Sequence, residues 1–254
     1  LKDFRNFLYL VWKHLGLPDP TPIQYDIAEY LQHSPKRAII EAFRGVGKSY
    51  ITAAYVVHQL LLDPELKFLV VSASKSRADD FSTFTQRIIL ELPICQHLIA
   101  TETQRWSKIA FDVAPAKASG SPSVKSVGVT GQLTGSRADI IIADDVEVPN
   151  NSMTQMMREK LSEAVKEFDA ILKPDGKVVY LGTPQNEMSL YNTLLERGYE
   201  MRVWPARYPT PEASQKAYSG RLAPMLWGTL EKDGEAVYGL PTDSKRFSDE
   251  DLLG

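Results

Sequence analysis

The chain has 254 residues and a mass of 28.5 kDa, a length that fits one or two domains at about 150 residues each and is ample for a buried core. With 43% hydrophobic and 24% charged residues, its composition is that of an ordinary globular protein, not of a disordered, collagen-like or coiled-coil chain. A net charge of −3 does not announce nucleic-acid binding, and the single cysteine, Cys95, excludes an intramolecular disulfide and a multi-cysteine zinc site and fits a reducing compartment.

The first expected element is an amphipathic helix over Leu1–Leu17, with Phe4, Phe7, Leu8, Val11 and Leu15 on one face. Lys13 and His14 break its apolar stretch, so it does not read as a signal peptide, and no stretch reaches the roughly 18 apolar residues needed to span a bilayer. Gly16 and the prolines Pro18, Pro20 and Pro22 end it, because proline cannot continue a helix. A second helix is expected over Ile23–Gln32, then a short strand at Arg37–Ala42, a glycine-containing loop, and a helix from Lys48 to about Leu62. Lys67–Ser72 is a continuous apolar strand of the kind buried on both faces of a parallel sheet.

A helix over Ser76–Leu92 follows, then irregular short strands between Trp106 and Val129, and a second buried strand at Asp139–Ala143. Ser152 and Gln155 form a capping-box pattern that opens a helix with Met157, Leu161, Ala164, Val165, Phe168 and Ile171 on one face. Asp175-Gly176 reads as a turn, Lys177–Leu181 as a strand, Leu190–Arg197 as a short helix and Met201–Trp204 as a last strand. Strands alternating with helices predict an α/β fold, a mostly parallel sheet flanked by helices. Residues 1–206 are assigned to one domain, with 1–22 as an N-terminal helix and lead-in. Residues 207–254, proline- and glycine-bearing with little periodicity, read as a linker or peripheral extension.

The sharpest local feature is Ala42-Phe43-Arg44-Gly45-Val46-Gly47-Lys48-Ser49, a P-loop pattern in which Ala42 stands where a first glycine is expected. An apolar strand precedes it and a helical pattern follows. Gly45 and Gly47 let the backbone turn its N–H groups towards phosphate oxygens at a helix N-terminus. Lys48 can reach β- and γ-phosphates and Ser49 can ligate Mg²⁺. Arg44 places a second cation beside the γ-phosphate. Arg44, Gly45, Val46, Gly47, Lys48, Ser49 and the following Tyr50 are therefore the candidate ATP-binding residues.

A nucleotide hydrolase of this kind also needs a carboxylate at the end of a neighbouring strand. Asp139-Ile-Ile-Ile-Ala-Asp144-Asp145-Val-Glu147 supplies one. Asp144 is the candidate Mg²⁺ organiser, and either Asp145 or Glu147 the candidate base for an attacking water. Strand alternation is expected to put Asp144 and Asp145 on opposite sides. Thr183, in Gly182-Thr-Pro-Gln185-Asn186 at the end of the next strand, is placed to report on the γ-phosphate. Gln24, before the first strand, carries an amide able to read adenine as donor and acceptor.

The order Gln24, arginine-bearing P-loop, Asp-Asp strand end and Gly-Thr-Pro-Gln-Asn resembles the motor domain of the large terminase subunit of tailed bacteriophages. Phe43–Ser49, Ile140–Glu147 and Gly131-Gln-Leu-Thr-Gly-Ser-Arg137 are similar to the short-tailed phage branch, over about residues 20–205. The resemblance implies a RecA/ASCE-type P-loop NTPase with ATP and Mg²⁺ as cofactors. It further implies a homo-oligomeric ring, a pentamer, that translocates double-stranded DNA through a portal protein into a procapsid, with a small terminase subunit as partner. The place of action it implies is the cytoplasm of the infected host, with no membrane. Arg44 matches the family's P-loop arginine, Thr183 its coupling motif, and Arg137 the candidate finger inserted into a neighbouring subunit's site.

Full-length members carry a C-terminal nuclease with a cluster of metal-binding acids. The acids Asp243, Asp249, Glu250 and Asp251 lack intervening apolar strands, so no complete nuclease site is expected here and the chain is expected to be part of something longer. Lys75, Arg77, Lys117 and Lys125 are the basic residues considered for contact with DNA phosphates. A helicase-like or other DNA-remodelling ATPase is the alternative reading, although no room remains after Trp204 for a second motor lobe. A P-loop kinase would need an acceptor pocket and lid.

Overall fold

A computed structural model describes residues 1–147, 155–184, 189–218, 220–247 and 250–252. The expected cap at Ser152 and the residues Gln185 and Asn186 lie outside them.

Helix α1 (Phe4–His14) buries Phe4, Phe7, Leu8, Val11 and Trp12, and Asp3 caps its start by accepting from the Arg5 N–H. Helix α2 (Pro22–His33) opens on a capping box in which Thr21 and Gln24 exchange side-chain and backbone hydrogen bonds. Strand β1 (Arg37–Ala42) feeds the phosphate loop and helix α3 (Lys48–Leu62). Then come β2 (Phe68–Ser72), α4 (Lys75–Glu91), β3 (Ala110–Phe111), β4 (Val124–Gly128) and β5 (Ala138–Asp144). Helix α5 (Gln155–Ile171), β6 (Leu172–Gly182), α6 (Ser189–Glu196) and β7 (Glu200–Trp204) follow.

Among the described residues seven strands form one sheet in the order β3-β4-β2-β5-β6-β1-β7, parallel except for the β3–β4 pair. Its central strands are apolar on both faces because each face is covered. Phe68, Val70, Ile140, Ile142, Ile40, Val179 and Leu181 join one core with α1 to α4, while Leu69, Val71, Ile141, Ala143, Ile39, Val178 and Tyr180 join a second with α5 and α6.

Three expectations change. Asp175-Gly176 is not a turn before the strand but a kink inside β6, with Asp175 at φ 64° where the β5–β6 register shifts. One extra stretch of strand is accommodated by a bulge, which asks for a residue tolerant of left-handed geometry. Asp144 and Asp145 do not face opposite sides: β5 ends at Asp144, Asp145 turns to φ 48°, and both carboxylates line one cleft.

The segment read as a linker, in its described part, is packed. Helices α7 (Pro211–Tyr218) and α8 (Pro224–Asp233) follow β7, and Leu222, Ala223, Leu226 and Leu230 join the first core. Four apolar residues at near-helical spacing hold it down, hidden in the sequence among prolines and glycines.

Candidate active site

The site is built where the sheet's C-terminal edge meets α3. Gly45 (φ 91°) and Gly47 (φ 90°) take left-handed conformations that side-chain-bearing residues rarely adopt, and Gly47 is the N-cap of α3. The turn points Lys48 back over the strand end. Its Nζ donates to the Ala42 carbonyl at 3.2 Å and to Thr183 Oγ1 at 3.1 Å, and lies 3.5 Å from Asp145 Oδ2. Thr183 Oγ1 in turn donates to Asp145 Oδ1 at 3.4 Å. The ends of β1, β5 and β6 are thereby tied to one ammonium.

Ser49 Oγ lies 3.0–3.1 Å from both Asp144 oxygens and donates to that carboxylate. Burial and the adjacent Asp145 charge push the Asp144 carboxyl up to about 6, against the Ser49 hydrogen bond and the Lys48 and Arg77 charges. A hydroxyl and a buried carboxylate are hard oxygen donors, and Mg²⁺ characteristically takes one or two of these with phosphate oxygens and water completing its shell. The donor set fits that ion.

The cleft around these groups has a volume of about 1020 Å³. Arg44, Gly45, Gly47, Lys48, Ser49, Tyr50, Asp144, Asp145 and Thr183 all line it. Tyr50 is exposed, its ring edge-on to Phe84 of α4 at 4.6 Å. Val46 is buried instead, and its carbonyl accepts from Gln24 Nε2 at 2.9 Å.

Gln24 lies beneath the loop and not in the cleft. Its Oε1 accepts from the Thr21 N–H and Trp12 Nε1, so the amide expected to read adenine braces the phosphate loop against α1 and α2. Glu147 is also apart: buried, it accepts from the Leu190 N–H at 2.8 Å and lines a separate cavity of about 200 Å³ with Arg158 and Arg197. Arg137 is exposed just before β5, at the opposite end of that strand from Asp144, roughly 20 Å away at about 3.3 Å per residue. It lies outside its own chain's cleft.

Of the basic residues considered for DNA, Arg77 lines this cleft, Lys75 pairs with Asp79 at 3.6 Å and Lys125 donates to the Thr134 carbonyl. Lys117 is exposed and its backbone N–H donates to Glu65. Cleft residues missed from the sequence include Asp80, Phe84 and Arg87 of α4 and Arg246 of the C-terminal segment. The α4 residues repeat with Arg77 at helical spacing, a stripe that could have signalled a shared face.

A phosphate loop at the edge of a parallel sheet, with Ser49–Asp144 and Lys48–Thr183–Asp145 converging on it, defines a P-loop nucleotide-binding protein with a RecA-like sheet. No protein-family model matches the chain. It is 55% identical over 254 residues to the large terminase subunit of Enterobacteria phage T3, a match that takes in 98% of this chain and 43% of that protein. At that identity along nearly its whole length the chain is homologous to a terminase large subunit, and it spans less than half of that relative's length.

Among solved structures it is similar to the HK97 bacteriophage large terminase, with a TM-score of 0.53 and 13% identity, covering 91% of this chain and 51% of that one. The yeast DEAD-box splicing factor Prp28 gives 0.52 and 12%, covering 76% and 47%. Both likenesses are at the level of the fold.

Proposed function

We propose that this chain is the ATP-hydrolysing motor of a viral DNA-packaging terminase, moving double-stranded DNA into a procapsid. The observation that carries the reading is the convergence of Lys48, Thr183 and Asp145 beside the Ser49–Asp144 pair, in a chain 55% identical to a phage terminase large subunit.

The reaction is in-line attack of water on the γ-phosphorus, releasing ADP and phosphate. The N–H groups of the loop and the start of α3 hold the phosphate chain, while Lys48 and Arg44 draw charge towards the γ-phosphate. Ser49 and Asp144 would hold Mg²⁺, which when bound would neutralise phosphate charge. Asp145 faces the cleft and is assigned the attacking water: it orients it and accepts its proton. Thr183 competes with the γ-phosphate for Lys48, so nucleotide state is transmitted into β6 and the residues beyond it. Glu147, held on the α6 backbone, is assigned a structural part.

Arg137 lies outside its own cleft, and its exposure supports a finger that serves a neighbouring subunit of a pentameric ring docked on a portal protein, with a small terminase subunit as a further partner. The site of action is the cytoplasm of the infected host. The test mixes Arg137→Ala subunits with Lys48→Ala subunits and measures ATP turnover of the ring on DNA. Recovery of turnover in mixed rings is expected, because intact loops then meet intact fingers. Strictly proportional loss would remove Arg137 from the site, and phosphate transfer to a small acceptor would replace the motor by a kinase.

A further inference from the structure

The segment that ends at Phe247 is seated on the phosphate loop. Phe247 packs edge-on against Phe43 with ring centroids 5.5 Å apart, and its ring lies so close to Gly45 that a Cβ there would approach it to 3.4 Å. Asp243 is buried and accepts from Thr21 Oγ1 at 3.0 Å. Thr21 is the cap that engages Gln24, whose amide holds the Val46 carbonyl. The Asp243 carbonyl accepts from the Arg246 and Phe247 N–H groups at 3.1 and 2.9 Å, closing a turn. Two contacts, one aromatic and one through α2, therefore fix this turn against the loop.

Packing accounts for Phe247 but not for Arg246, which lies over the Phe247 ring at 5.4 Å and lines the cleft shared with Lys48 and Asp144. The cleft is bordered by five cations, Arg44, Lys48, Arg77, Arg87 and Arg246. Among the described residues three carboxylates line the cleft with them, Asp80, Asp144 and Asp145, while Arg87 also pairs with Glu91 of its own helix. In a chain of net charge −3, that local excess of positive charge suits a polyphosphate.

Sheet order decides which end of the nucleotide Arg246 meets. Asp144, Asp145 and Thr183 terminate β5 and β6 on one side of β1, whereas β7 and the segment that follows it lie on the other. The γ-phosphate belongs beside Asp145 and Thr183, so the nucleoside leaves the loop towards Arg246.

We propose that Arg246 is a nucleotide-binding residue supplied by the C-terminal segment of the same chain, its planar guanidinium stacked on the base. Occupancy of the site then clamps the Asp243–Phe247 turn onto the loop. A guanidinium suits this place because it stacks on π-faces, which an ammonium does less well. The proposal rests on the nucleotide-binding reading of the cleft.

The test measures ADP binding, inhibition by inorganic triphosphate, and trypsin cleavage after the exposed Lys245 with and without ADP. Arg246→Ala is expected to weaken ADP binding about tenfold, a 1.4 kcal/mol change. The triphosphate, which lacks a nucleoside, is expected to inhibit as before, Arg246→Lys is not expected to rescue, and ADP is expected to slow cleavage of the unaltered chain. Equal loss for ADP and triphosphate would overturn the nucleoside assignment. Unchanged ADP binding in Arg246→Ala, or cleavage indifferent to ADP, would overturn the proposal while Lys48→Ala still abolished binding. Should Lys48→Ala leave ADP binding intact, the reading of the cleft itself has failed.

Discussion

Lys48 Nζ lies 3.1 Å from Thr183 Oγ1, so the phosphate loop and the end of β6 share a hydrogen bond across 135 residues of sequence. The lysine proposed to serve a phosphate is here held by the threonine that follows the strand. On the proposed reading a bound γ-phosphate competes with this hydroxyl for the ammonium, and nucleotide state would reach β6 by that route.

Removing the hydroxyl tests the coupling part proposed for that threonine. Thr183→Val keeps the volume but leaves Lys48 one acceptor short in the nucleotide-free state. Nucleotide binding is expected to hold or tighten, while DNA-stimulated turnover falls about tenfold or more, a barrier change of roughly 1.4 kcal/mol. Steady-state kinetics with KM and kcat resolved checks this; equal loss in both would place Thr183 in binding alone.

The two candidate acids separate cleanly by position. Asp145 borders the cleft 3.5 Å from Lys48, and Glu147 is turned to the Leu190 backbone. Asp145→Asn is expected to lower kcat about 10²- to 10⁴-fold, the usual range for a general base, with nucleotide affinity little changed. Glu147→Gln should cost stability and not chemistry, read as a lower melting temperature with kcat close to that of the unaltered chain. The reverse pattern would exchange their parts.

Gly182 immediately precedes Thr183. A Cβ at that position would lie 2.9 Å from Tyr191 Cε2, and Tyr191 is fully buried with its hydroxyl donating to the Leu181 carbonyl. Gly182→Ala therefore forces α6 or the end of β6 to move. Overpacking of this kind costs about 1–3 kcal/mol, measurable by denaturant titration, and displacement of Thr183 adds a fall in turnover. Full stability and full turnover would show that Tyr191 yields freely.

Glu41 of β1 is buried, and burial pushes its carboxyl up to about 7 from an ordinary 4.5, partly offset by the Arg221 charge. The folded chain holds this proton more tightly than the unfolded chain does. The proton's stabilising contribution is thus complete below about pH 4.5 and is lost as pH rises through about 7. Glu41→Gln, which cannot ionise, is expected to stabilise the fold at pH 8 by about 1–3 kcal/mol and to flatten this part of the profile. Equal destabilisation at pH 5 and pH 8 would mean that Glu41 acts through a charged contact instead.

Much of this architecture was legible in the residues because its constraints are local. The strand Arg37–Ala42 and the helix Lys48–Leu62 have the bounds read from the sequence, since apolar runs, glycines and a Lys-Ser pair each specify a nearby conformation. Asp145 escaped because one left-handed residue cancels strand alternation, and nothing in Asp-Asp announces which will turn. Asp175-Gly176 carried a genuine turn signal that the protein uses as a bulge within β6. Gln24 is an amide whose partners, Trp12 and the Val46 carbonyl, are set by tertiary packing. Arg246 was invisible for the same reason: its neighbours on the loop are about 200 residues away, and no local pattern in residues 207–254 predicts their docking.

Whether this cleft hydrolyses ATP with Lys48 and Asp144 is decided by one measurement. The deciding measurement is phosphate release from ATP and Mg²⁺ by the chain assembled on DNA, compared with Lys48→Ala and Asp144→Asn. Both variants are expected to lose at least about 100-fold in turnover, as loss of a preorganised charge partner does, while remaining folded. Turnover retained in full by either variant would contradict the assignment of the site.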